Sequence, residues 1–76
     1  MYYYLINIKY LDGTESEYLH SMIEERLVSV DIQYFVDLVK SRMENFDTLI
    51  PKQINKAQFV ELRQKLPVLD DVGKQF

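Results

Sequence analysis

One histidine, His20, is the only side chain in this 76-residue sequence whose ordinary pKa lies near neutrality, and Ser16, Ser21, Glu24 and Glu25 sit close to it in sequence. A serine or a carboxylate beside a histidine is the raw material of a nucleophile and base pair. Such neighbours are common by chance, however, and catalysis also needs a concave site that excludes water, for which so short a chain has little room. His20 is therefore expected to be a strand residue beside Tyr4. The acid pairs Glu24-Glu25 and Asp70-Asp71 are adjacent in sequence, whereas carboxylates that cooperate in hydrolases face each other from separate elements. They are expected in a solvated turn and a solvated tail. With no cysteine and a single histidine there is no disulfide and no evident metal ligand set. The two glycines, Gly13 and Gly73, stand too far apart for a phosphate-binding loop. No catalytic residue, metal or cofactor is expected, and the protein is not expected to be an enzyme.

Charge is the next source of chemistry. The chain carries a net charge of -3 from nine basic and twelve acidic residues, the wrong sign for a general nucleic-acid binder. Residues 1–25 hold one base against five acids and residues 51–76 five bases against three acids, so the front is acidic and the back mildly basic. Lys52, Lys56, Arg63 and Lys65 gather around one predicted helix, which makes a nucleic-acid-binding accessory protein the alternative function. The competing explanation, a solvated helix face, is favoured because four bases on such a helix are ordinary. Tyr2, Tyr3 and Tyr4 have no base near them before Lys9, unlike the framed aromatics of single-strand binders.

These residues must be positioned by a small α+β domain. Residues 2–10 are rich in aromatic and β-branched side chains and lead to Asp12-Gly13, the mark of a hairpin. A two-residue loop would put Glu15 and Glu17 on the apolar face. A three-residue loop, Leu11-Asp12-Gly13, pairs Lys9 with Glu15, Ile8 with Ser16, Ile6 with Tyr18 and Tyr4 with His20, and gathers Tyr4, Ile6, Ile8, Tyr10, Tyr18 and Met22 on one face. Strands are thus predicted at 2–10 and 14–22, a hairpin packed against two helices, to which residues 26–30 could add a short third strand in a meander, since an isolated hairpin needs a third strand or a covering helix. Apolar spacing predicts a helix at 32–46, capped by Asp31 and stapled by Val30 to Phe35. Residues 47–54 are expected to connect it to a second helix at 56–65, which Asn55 and Gln58 cap as a box and Pro67 ends. Residues 1–67 form the domain and 68–76 a tail.

Apolar surface exceeds what this plan can bury. A helix layer is expected to cover one face of the sheet, leaving Tyr3, Leu5 and Leu19 on the other. Tyr34, Leu38 and Arg42 flank the apolar stripe of the first helix, a composition found at binding hot spots, unless the second helix packs on that flank. Together with the acidic hairpin residues Glu15 and Glu17, which favour a basic partner, these are the predicted partner-binding residues. The hairpin-then-helix order with an acidic front is shared by many short proteins of unrelated function, among them small inhibitors from phages and mobile elements. The expectation is a small acidic protein-interaction module that regulates or inhibits another protein, such as a nucleic-acid-processing enzyme, or that forms a homodimer. Without a basic secretory start or a long apolar run, it is expected in the cytoplasm.

Overall fold

The hairpin forms in the register that side-chain parity demands. In the computed structural model, which describes residues 1–71, β1 (Tyr2–Tyr10) and β2 (Glu15–Met22) pair antiparallel with Lys9 opposite Glu15, Ile6 opposite Tyr18 and Tyr4 opposite His20. The Tyr10 N–H donates to the Thr14 carbonyl at 2.8 Å, closing the three-residue loop. Gly13 takes the left-handed conformation there, with φ at 89°.

The third strand is not at 26–30. That segment forms a turn, in which the N–H groups of Val30 and Asp31 both donate to the Leu27 carbonyl, at 3.0 and 2.8 Å. The Tyr4 hydroxyl fastens it to the sheet by donating to the Arg26 carbonyl at 2.9 Å and accepting from the Arg26 N–H at 2.7 Å. The third strand is instead β3 (Phe46–Ile54), in the segment expected to be a connection, and it pairs antiparallel with β1 from Tyr3 opposite Ile54 to Tyr10 opposite Phe46. The order is β2-β1-β3, so β2 and β3 run the same way on either side of β1. Strands so related need a crossover, and the helix between them supplies it. Pro51 is tolerated because β3 is an edge strand, where a missing N–H can face outward.

That crossover helix, α1 (Ile32–Lys40), is shorter than the predicted 32–46. Ser41 ends it, its hydroxyl donating back to the Leu38 carbonyl at 2.6 Å. Asp31 stands at the N-cap without a side-chain cap bond and Val30 is exposed, so neither the cap nor the staple forms. Burial of Phe35 and Val39 holds the helix. The second helix, α2 (Lys56–Leu62), has the predicted capping box: Asn55 Oδ1 accepts from the Gln58 N–H at 2.8 Å and Gln58 Oε1 from the Asn55 N–H at 3.1 Å. It ends short of the predicted residue 65, and the chain continues in turns to Leu66.

Helices cover both faces of the sheet, contrary to the expected single layer. On one face Tyr4, Ile6 and Ile8 are fully buried with Phe35 and Val39 of α1. On the other, Leu19, Ile54 and Phe59 form a second core with Tyr3, Leu5, Leu62, Leu66 and Val68 packed against it. This is feasible because α2 is short and covers only that half of its face. Farther along, strand alternation places Asn7, Lys9, Glu15, Glu17 and Thr48 on the same side.

The expected tail begins as part of the fold. Val68 bridges Leu19 in parallel at the outer edge of β2, where the Leu19 N–H donates to the Pro67 carbonyl at 2.9 Å. A 3-10 turn follows at Leu69–Asp71, and Leu69 is fully buried in the first core. The predicted tail residues 72–76, Phe76 among them, lie outside the described residues.

Candidate interaction surfaces

Three elements converge on His20. β2 supplies the imidazole, α1 supplies Tyr34, and the 3-10 turn supplies Asp70. His20 is 5% exposed, its Nε2 is 3.2 Å from the Tyr34 hydroxyl, and its Nδ1 is 3.4 Å from Asp70 Oδ1, within ion-pair reach but outside hydrogen-bond geometry. The Arg26 guanidinium sits 4.6 Å from the centre of the Tyr34 ring, a cation–π distance. Burial pushes the imidazole below its ordinary range, Asp70 pulls it up, and Arg42 pushes it down further. Burial also raises the Tyr34 hydroxyl, with Arg26 acting in the opposite sense. The arrangement holds the imidazole between a phenol and a carboxylate. Through these contacts His20 ties α1 and the 3-10 turn to β2.

The predicted partner-binding residues are dispersed by the fold. Leu19 is fully buried and Tyr3 and Leu5 are half-buried under α2 and Leu66–Val68, with the Tyr3 and Phe59 rings 4.7 Å apart. The outer hairpin face is thus occupied by the chain itself. Leu38 packs on the first core, and Arg42 is half-buried in the turn after α1 with its Nε enclosed. The flank of α1 is engaged by β2, the connection after it and the 3-10 turn, not by the second helix. Glu15 and Glu17 are exposed on the α2 side, beyond the reach of that helix. Of the four bases, Lys56 and Arg63 line one cleft on α2, while Lys52 lies on β3 and Lys65 in the turns beyond the helix.

Sequence periodicity did not point to one apolar surface that remains exposed. In the connection between β2 and α1, Ile23 is 82% exposed, Leu27 57% and Val30 72%, and Leu27 and Val30 close a single turn while Val28 between them packs inward. Ile23 shares a shallow cleft of about 480 Å³ with Met1, Met22, Arg26 and Tyr34. Tyr34, predicted as a contact residue, is half-buried there with the Arg26 guanidinium over its ring. The available signal was the run of large apolar residues between Ile23 and Val30, which the strand expectation at 26–30 absorbed.

Among the described residues, no helix is long and apolar enough to cross a membrane, and no three His, Asp or Glu side chains are grouped as metal ligands. Compared with protein families, with curated proteins and with solved structures, the chain finds no match.

Proposed function

We propose that the protein is a small, non-enzymatic interaction module of the cytoplasm, which acts by docking another protein on the connection between β2 and α1. One observation carries this. Ile23 exposes a large apolar side chain in a cleft that also takes in the stacked pair Arg26 and Tyr34, and Leu27 and Val30 expose two more farther along the same connection. Tyrosine and arginine framed by aliphatic side chains are the residues that dominate binding energy at protein interfaces. Leaving several such aliphatic groups in water forgoes burial worth roughly 1.5–3 kcal/mol each, a gain that a partner can recover. A chain without cysteine suits a reducing compartment.

The test is capture from a nuclease-treated lysate by the wild type and by the double variant Ile23→Asp/Val30→Asp, followed by affinity measurement with the purified partner. A partner held by the wild type and bound at least about thirtyfold more weakly by the folded variant is expected, the loss of one hot spot or more. Equal affinity for wild type and variant would remove this surface from the function. Capture that disappears with nuclease would favour nucleic acid and the bases of α2.

A further inference from the structure

The two ends of β1 lie beside clefts of opposite charge. At the hairpin end, a cleft of about 490 Å³ is lined by Leu11, Asp12, Tyr18, Met43 and Glu44, and among the described residues no lysine or arginine contributes to it. The Tyr10 and Tyr18 hydroxyls in its wall are 3.2 Å apart and bonded to each other, so the carboxylates of Asp12 and Glu44 dominate its electrostatics. Both acids are exposed, and Leu11 beside them is 73% exposed.

At the other end a cleft of about 460 Å³ runs along α2 and takes in Lys56, Val60 and Arg63 together with Tyr3. Spacings of four and three residues place those three side chains on one helix face. Val60, 54% exposed, stands between the two cations. Asp70, the only acid in this cleft among the described residues, faces His20 at 3.4 Å. Tyr3 and Tyr10 mark the two clefts on one strand, about 23 Å apart at 3.3 Å per residue. In a molecule 32 × 29 × 26 Å across, the clefts are therefore at opposite ends.

We propose that the hairpin-end cleft of one molecule receives the Lys56–Val60–Arg63 face of a second copy of this chain. Each patch is an exposed aliphatic side chain flanked by two like charges, and the two patches are opposite in sign: Asp12 and Glu44 meet Lys56 and Arg63, and Leu11 meets Val60. The match favours a second copy over nucleic acid, because Val60 between the two cations offers a phosphate nothing. The patches lie at opposite ends of the molecule, so the contact is head-to-tail. A pair joined in this way keeps one free cleft of each sign, and association continues as concentration rises instead of stopping at a dimer. Exposed ion pairs are weak and screened by salt, and each is expected to change affinity by about 1.4- to 5-fold.

The experiment is sedimentation equilibrium of the full chain at low and high salt, with charge-reversed variants. The mean mass of the wild type should rise with concentration beyond two copies and fall with salt. Asp12→Asn/Glu44→Lys should stay monomeric alone, as should Lys56→Glu/Arg63→Glu, and an equal mixture of the two should associate again, since it holds native and reversed patches in complementary sets. Asp12→Asn keeps the acceptor used by Thr14, and Glu44→Lys alone should show the same loss in smaller degree if the hairpin loop is sensitive to change. Ile23→Asp/Val30→Asp should leave self-association intact, which separates this contact from the docking surface proposed above. A wild type monomeric at low salt, a mass that stops at two copies, or association indifferent to charge reversal would overturn the proposal. Oligonucleotide binding by a monomeric wild type, lost in Lys56→Glu/Arg63→Glu, would reassign the basic face to nucleic acid.

Discussion

Leu69→Ala tests whether residues beyond Pro67 belong to the folded domain. Leu69 is fully buried and packs in one cluster with Tyr4, Ile6, Ile8, Phe35 and Val39. Truncating an enclosed leucine to alanine costs the transfer of its lost carbons plus the cavity left behind, about 2–5 kcal/mol. A domain of this length has a total stability of about 4–11 kcal/mol, so the variant should lose a large fraction of it. At 4–8 °C per kcal/mol for a domain this small, the melting temperature should fall by about 8 °C or more. Urea denaturation and calorimetry of the wild type and variant measure this directly. Leu11→Ala, at an exposed site, is the control and should change stability by no more than about 0.5 kcal/mol. A loss at Leu69 as small as at Leu11, with an unchanged denaturant slope, would refute the packing of this segment and the second layer of contacts that depends on it.

The remaining predictions concern polar groups. Because burial lowers the His20 pKa in the folded protein, the unfolded chain binds a proton where the folded chain does not. Its contribution to stability is therefore complete above the ordinary histidine value, about 6.5, and is lost as pH falls below it. Urea midpoints from pH 8 to pH 5 should show this decline, and His20→Gln should flatten it. Tyr4→Phe keeps the ring against Phe35 but strands the Arg26 N–H and carbonyl, which should cost about 1–3 kcal/mol in chemical denaturation. Asn55→Ala removes the cap acceptor for Gln58 and should cost about 0.5–2 kcal/mol by the same measurement.

The hairpin register was legible because alternation and the need for positive φ at Gly13 leave one loop length that keeps Glu15 and Glu17 off the apolar face. The start of α2 was legible because a capping box is a local signal. β3 was hidden by Pro51 and by Leu49-Ile50, neighbours that break the apolar–polar alternation of a half-buried strand. Met43 and Phe46 continue the helical spacing of α1, but they lie in a turn and in β3 and reach the same core by another path. Arg26–Val30 has strand-like composition, yet a meander would have placed it on the outer edge of β2, where Pro67 and Val68 lie. Of the predicted contact residues, Tyr34 lines an open cleft, whereas Leu19 is enclosed by a helix and a chain segment whose positions depend on contacts distant in sequence.

The parallel bridge between Leu19 and Val68, and the burial of Leu69 just after it, bear on the order in which the molecule can form. Consecutive residues at 68 and 69 complete the cores on opposite faces of the sheet, and the central strand, made first, finds its second neighbour only in residues 46–54. A nascent chain that has reached the end of the hairpin therefore holds Tyr4, Ile6 and Ile8 on a two-stranded ribbon with nothing to cover them, and such ribbons are marginal in water. The second core is complete only when residue 68 has left the ribosome, and the first only when residue 69 has. Folding dominated by such distant pairings is slow for a domain this size, and during that interval the uncovered hairpin is the part of the molecule most open to chaperones and to aggregation.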